Sequence, residues 1–356
     1  MTMKKLLLAS MALLCSITGK ADNGFAIDDF TIAANGEATI EVIMNNDIDF
    51  SGIQFDLELP EGVSIKYDDD EEDYCVTGTS RLLSSHTINT SEQSNGTFRI
   101  MVYSTKSKNF KGNSGDALLE IELVASDQVA TGNFTPQIKN LVMSQADETQ
   151  YKPADCTYNC TVTLSTTVSS LGYASFSWPK ALDFTNSGLT AYIATSTTGN
   201  SLHLESVTKV PANTGLILKG TAGSYPLQTT EETTDDVSEN MLTSNTTGTY
   251  TVATDNVYVL SNLDNGKPGF YLASQGIHVG QYKSYLVLSS GSRQGLVFDE
   301  GTTGVNGVDI QEQPMDNHIY NLNGQRLQTS AVGSGKQVTL PQKGIYIISG
   351  KKCIVR

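Results

Sequence analysis

The chain has 356 residues, too many for one ordinary domain of roughly 100–200. Its 23 Lys and Arg against 38 Asp and Glu give a net charge of −15, which argues against a nucleic-acid partner, because phosphate contacts need a basic face. Charged residues make up only 17%, while Gly, Ser, Thr and Asn abound, a β-rich, extracellular style of composition; with only four His, enzymes built on His clusters recede as well.

Residues 1–21 read as an export signal. Lys4 and Lys5 form a positive start, Leu6 to Ile17 an apolar stretch, and Gly19-Lys20-Ala21 a small-x-small site, so cleavage is expected between Ala21 and Asp22. A twelve-residue apolar stretch falls short of the ~20 residues that span a bilayer, so a retained anchor is the weaker reading. A lipid on Cys15 is weaker too, because Leu14 stands where a small residue is wanted. The expected address is secreted or cell-surface, in the outer membrane or outside it. Four cysteines remain, Cys75, Cys156, Cys160 and Cys353, in a compartment that permits disulfides. In one extended strand Cys156 and Cys160 would stand ~13 Å apart, beyond the ~7 Å a bridge allows. They pair with each other only across a turn at Thr157-Tyr158-Asn159; otherwise one reaches Cys75, and free buried thiols are the competing reading.

Residues 22–164 carry 24 acids and 8 bases and are dominated by strand signals. Ile53, Phe55, Leu57 and Leu59 alternate with Gln54, Asp56 and Glu58, placing one face in a core and the other in water. Ile40-Val42-Met44, Phe98-Ile100-Val102 and Leu119-Ile121-Leu123 repeat the pattern. Asn-Gly begins at 23, 35, 95, 265, 306 and 323, and reads as hairpin punctuation, since both central residues of a type I′ turn need positive φ. The run Asp68-Asp69-Asp70-Glu71-Glu72-Asp73 invites calcium, but it lacks the ligand spacing and the Gly of an EF-hand loop, so a solvated loop is the expectation and no cofactor is assigned.

The order of phrases in this block goes further: Glu37-Ala38-Thr39-Ile40-Glu41-Val42, then Phe50-Ser51-Gly52-Ile53-Gln54-Phe55-Asp56-Leu57-Glu58-Leu59-Pro60, Phe98 to Ser104, and Gly115-Asp116-Ala117-Leu118-Leu119-Glu120-Ile121. It resembles the cohesin-type sandwich, related to cellulosomal cohesins and a group of carbohydrate-binding modules. The resemblance implies a nine-stranded jelly-roll-like sandwich that binds a protein or glycan partner and catalyses nothing. It transfers no ligand residue.

Residues 165–300 hold 11 acids and 6 bases and contain Leu171-Gly172-Tyr173-Ala174-Ser175-Phe176, Val210-Pro211-Ala212-Asn213-Thr214-Gly215 and Ser284-Tyr285-Leu286-Val287. They are similar to a segment that recurs in large exported proteins of Gram-negative anaerobes, and read as short antiparallel strands with aromatic cross-strand pairs. Trp178, the only tryptophan, reads as a core or loop anchor rather than a sugar platform. Residues 301–316 are rich in Gly, Thr and Asn and read as a linker. In 317–356, Ile319-Tyr320-Asn321-Leu322-Asn323-Gly324-Gln325-Arg326-Leu327 is a strand, turn and returning strand, followed by Gly344-Ile345-Tyr346-Ile347-Ile348. This resembles the C-terminal sorting domain of type IX secretion, a small β-sandwich that implies an outer-membrane export machine as partner. The fold class is therefore all-β: an N-terminal jelly-roll or immunoglobulin-like sandwich, a second antiparallel β domain and a small C-terminal sandwich-like piece.

No Gly-x-Ser-x-Gly, phosphate loop or His-Glu-x-x-His occurs, and His86, His203, His278 and His318 are scattered. No catalytic or metal residues are assigned. The expectation is a non-catalytic, surface-associated binding or adhesion protein whose partner is a polysaccharide, a glycoprotein or another exported protein. A glycan-degrading enzyme or its accessory subunit is the alternative, since a glycosidase needs only two carboxylates about 5–10 Å apart. A structural subunit of a surface layer or fibre is a third.

Overall fold

The computed structural model describes residues 23–262, 267–288 and 293–299, together with the backbone of four strands between 319 and 355. The export signal, the Ala21/Asp22 cleavage point, the 301–316 linker and His318 lie outside the described residues. The chain forms two compact units, residues 1–301 and 302–356. The described residues are all-β and contain no helix.

Alternation builds two packed sheets from residues 24–157. The first is ordered β1 (Gly24–Ala26), β3 (Glu37–Asn45), β11 (Ala117–Ala125) and β5 (Val63–Ile65), with β8 (Val76–Gly78) also on β11. The second is ordered β14 (Gln150–Tyr151), β13 (Gln137–Ser144), β4 (Gly52–Leu57), β10 (Phe98–Ser104) and β9 (His86–Glu92), with β15 (Cys156–Thr157) also on β13. Ile40, Val42 and Met44 of β3, Ile53, Phe55 and Leu57 of β4, and Ile100 and Val102 of β10 are all buried in one core, as the period of two requires. The acidic run folds as a small hairpin, β6 (Tyr67–Asp68) with β7 (Asp73–Tyr74), its Tyr67 and Tyr74 rings edge to face at 5.2 Å.

The composition break at 164/165 falls inside one nine-residue strand, β16 (Cys160–Val168). Its first half pairs antiparallel with β12 (Gly132–Phe134) and parallel with β2 (Phe30–Ala33); its second half pairs with β23 (Gly223–Thr229), which continues to β18 (Leu182–Asp183) and β21 (Lys209–Val210). Leu164 and Val168, two turns of the pleat on one side of the same strand, are both buried, and one continuous core runs from Phe25 to Leu227. Sandwich and second lobe are thus sewn together by a shared strand.

Nine strands form the largest sheet: β17 (Tyr173–Phe176), β22 (Leu216–Lys219), β19 (Thr190–Thr198), β20 (Ser201–Val207), β30 (Gly295–Asp299), β27 (Gly269–Leu272), β26 (Val257–Ser261), β29 (Lys283–Val287) and β24 (Leu242–Asn245). Its ends approach each other at Ser177, whose N–H donates to the Tyr282 carbonyl (3.0 Å) while its Oγ accepts from Asn245 N–H (3.3 Å), so the sheet is nearly closed and barrel-like. Tyr192, Leu202, Ile217, Tyr258, Phe270 and Leu296 fill a separate core. The two-stranded flap β25 (Tyr250–Thr251) and β28 (His278–Val279) packs a third, small cluster with Val252, Val257 and Ala273, and Tyr250 stacks on Tyr285 at 4.6 Å. The lobe is not wholly antiparallel, because β20 and β30 run parallel. In the second unit, β32 (Arg326–Leu327), β31 (Ile319–Asn321), β33 (Gly344–Ile348) and β34 (Lys351–Val355) make one antiparallel sheet in that order; Ile319 stands opposite Leu327, whereas a two-residue turn at Asn323-Gly324 would set it against Gln328, so the register is one residue out of step with that expectation.

The Asn-Gly expectation needs correction at three further places. Asn95-Gly96 does join two paired strands, β9 and β10, but only Gly96 takes positive φ (77°), so the turn is not type I′. Asn35-Gly36 turns the chain from one sheet to another, β2 and β3 not being partners. Gly24 simply begins a strand. A tight turn needs a left-handed residue; whether the flanking strands then pair is decided by which sheet each one's apolar face enters.

Candidate binding face

The second sheet turns its outer face to solvent as a lattice of cross-strand rows. Residues directly opposite share a face. Ser144, Gly52, Tyr103 and Thr87 make one row across β13, β4, β10 and β9; Val142, Gln54, Met101 and Asn89 make the next; Lys139, Asp56, Arg99 and Ser91 make the third. The first two rows are uncharged. Their members on β13, β4 and β10 line an open groove of about 440 Å³ that Gln150 also borders, and Tyr103 stands 46% exposed there.

The third row is a polar clamp. Arg99 donates Nε to Asp56 Oδ1 (2.7 Å) and a terminal nitrogen to Oδ2 (2.9 Å), and Asn140 Nδ2 donates to the same Oδ2 (2.8 Å). The Arg99 guanidinium holds the Asp56 carboxyl below its ordinary range against the opposing effect of burial. Asn140 reaches the carboxylate because β13 bulges between Lys139 and Val142, where Asn140 takes φ 52°. Lys139 adds an ion pair to Glu58 at 3.0 Å. Asp56, expected in water from its place in the alternation, is therefore buried, and the signal missed was a partner 43 residues away.

The remaining candidates do not converge on this face. Asp68 Oδ1 accepts the N–H groups of Asp70 and Glu71, a local turn, and among the described residues no three metal-ligating side chains come together to hold an ion. Cys75, Cys156 and Cys160 are thiols here; Cys156 lies on the second sheet, its thiol donating to the Phe25 carbonyl (3.2 Å), while Cys160 starts β16 and is fully buried. Burial pushes the Cys160 thiol up to about 11 and raises those of Cys75 and Cys156 too, keeping all three protonated. Cys353 belongs to β34. Trp178 is buried against Phe176 and Tyr282.

His86 accepts from Leu83 N–H on Nδ1, donates Nε2 to the Lys108 carbonyl and stacks on Phe110, a structural role. His203 meets Asp299, and His278 meets Thr251. Among the described residues four carboxyls, Asp56, Asp147, Asp183 and Asp236, depart from their ordinary pKa, and hydrogen bonds hold each of them down, led by those from Arg99, Thr149, Thr185 and Ser238. A general acid needs the opposite shift.

No protein-family model matches the sequence, and neither does any curated protein. Among solved structures, similar chains include a non-cellulosomal cohesin from Archaeoglobus fulgidus (10% identity, 40% of this chain and 91% of that one, TM-score 0.31). The cohesin module of a family 33 glycoside hydrolase from Clostridium perfringens is another (10%, 40% and 96%, TM-score 0.32). A third is CaCohA2 from Clostridium acetobutylicum (14%, 39% and 88%, TM-score 0.32).

Proposed function

We propose that the chain is an exported, surface-associated binding protein that catalyses nothing and holds a protein partner on the outer face of the second sheet. The observation that carries this is the layout of that face. Its centre is depleted of charge and carries Tyr103, Met101 and Val142, while the ion-paired groups Arg99, Asp56, Lys139 and Glu58 stand to one side. Protein interfaces have this anatomy, with Tyr and Met enriched at a charge-poor centre and polar groups at the rim. The resemblance of the sequence to cohesins, which grip a helix pair through a sheet face, agrees with it. Export is supported by the signal-like residues 1–21, and surface delivery by the sorting-like residues 317–356. Recognition of a glycan attaches to a different groove, argued below.

A photo-crosslinking side chain at position 101, in the full chain mixed with the exported proteins of its source cells, is expected to form one discrete adduct. The same group at Thr39, on the outer face of the first sheet, should form none. Tyr103→Ala should weaken capture at least tenfold, about 1.4 kcal/mol, with thermal stability unchanged. Equal crosslinking from both positions rejects the face. Release of reducing ends from polysaccharide would favour the enzyme instead.

A further inference from the structure

A second groove, of about 430 Å³, lies along the side of the sandwich, where the edge strand β1 of the first sheet meets β14 and β15 at the edge of the second. Three features of its lining point to one ligand chemistry. Tyr151 is 39% exposed and backed by the fully buried Phe50 ring at 6.5 Å, so a fixed aromatic platform borders the groove. Asn23 is nine-tenths buried; its Oδ1 accepts Asp47 N–H (2.9 Å), and its Nδ2 donates to no group among the described residues. Asn45, opposite Gly24 in the register, adds a second amide, and Asp155 accepts Asn140 N–H on Oδ1 (3.1 Å), leaving Oδ2 as an acceptor.

Asn23 borders the groove, and its Nδ2 has N–H groups to donate to an acceptor that enters it. A pyranose ring offers a face of C–H groups to an aromatic ring and a rim of hydroxyls that both donate and accept. Amides supply both roles and a carboxylate accepts. Among the described residues no cation lines the groove, so an anionic sugar would meet the Asp155 carboxylate on a chain of net charge −15. We propose that this groove is a binding site for a neutral pyranose unit of a glycan. Addition of a peptide strand to β1 fits less well. Met44 of β3 gives its N–H and carbonyl to Asp116 and Gly115, so the Phe25 carbonyl opposite it faces outward, and there Cys156 Sγ already occupies it.

The test is affinity electrophoresis of the full chain through gels holding mannan, galactan, β-glucan or arabinoxylan, with polygalacturonate as the charged counterpart. At least one neutral polysaccharide should retard the wild type and polygalacturonate should not. Tyr151→Ala, which alters an exposed side chain on a two-residue strand, should abolish the retardation, at least a tenfold loss, and Asn45→Ala should weaken it; unchanged melting curves establish that both variants fold. Tyr103→Ala should leave it intact, so this site and the protein-docking face succeed or fail separately. Retardation by none of the neutral polysaccharides, or by polygalacturonate alone, overturns the site, and so does retardation that survives Tyr151→Ala. A captured protein lost with Tyr151→Ala but kept with Tyr103→Ala would put a peptide in the groove and overturn it equally.

Discussion

Asp56 illustrates how far one strand's alternation can be read. Period two places it on the outer face of β4, and there it is, yet it is only 5% exposed because Arg99 and Asn140 close over it. Nothing local in the sequence announces that a register of Asp56 opposite Arg99 will form, since that pairing is fixed by two hydrophobic faces docking in step. The pairing has a pH signature. Asp56 has a folded pKa below the unfolded value of about 3.9, so its contribution is present above that value and is lost as pH falls through the folded one. Asp56→Asn should cost about 2 kcal/mol at pH 7, less than the 3–5 of a fully buried pair, because Arg99 keeps 36% of its side chain in water. Urea midpoints should show the gap between wild type and Asp56→Asn narrowing below pH 4; a gap that widens there would contradict this origin. Arg81 tells a similar story more severely. It is 3% exposed and donates to the carbonyls of Met44, Lys111 and Asp116 and to Asn46 Oδ1, tying three loops at one end of the sandwich. No motif in the sequence marks it out.

Strands were legible where burial alternates and obscure where it does not. The β3, β4, β10 and β11 segments announce themselves because one face is wet and one dry. By contrast, Ala191, Tyr192, Ile193 and Ala194 of β19 are buried on both sides, one side serving the shared core and the other the barrel interior, so the run lacks a period. The barrel itself depends on close approaches that a sequence cannot display. Gly269 in β27 lies opposite Val297 of β30, and a Cβ there would stand 2.4 Å from the Leu296 carbonyl oxygen, a backbone atom held in the partner strand. Gly269→Ala should therefore force the two strands apart and cost about 3 kcal/mol by overpacking. Gly96→Ala, with open space around the new methyl but φ at 77°, should cost only the 1–2 kcal/mol of left-handed backbone. A larger loss at Gly96 than at Gly269 in thermal melts would reverse this ranking of contact over conformation.

At the scale of the molecule, the question is whether the sandwich and the barrel lobe are two bodies or one. Composition suggests a seam at 164/165, because acids thin out there, but charge lives on the surface and says little about where a core ends. The seam is crossed by β16, and two further ties flank it. Thr131 and Thr229 exchange backbone N–H to hydroxyl hydrogen bonds, both 2.9 Å, where β12 and β23 meet. Tyr282 donates its hydroxyl to Asp127 of the sandwich (3.1 Å) while its ring packs on Trp178 at 4.4 Å, and burial raises its pKa to about 12. Tyr282 holds φ at 62°, a conformation disfavoured for a bulky residue and retained because Ser177 and Asn245 fix its backbone on either side. A shared strand and a continuous core make the opening of one lobe expose the other, so residues 23–299 should unfold in a single transition. Two probes can check this: Trp178 fluorescence follows the barrel lobe, and hydrogen exchange in β4 and β10 follows the sandwich. Their midpoints in urea should coincide, and Tyr282→Phe, which removes the inter-lobe hydrogen bond but keeps the ring, should lower both together by the same amount. If Tyr282→Phe instead moves the Trp178 midpoint and leaves β4 and β10 where they were, the two lobes are independent domains and β16 is merely a linker that happens to be extended.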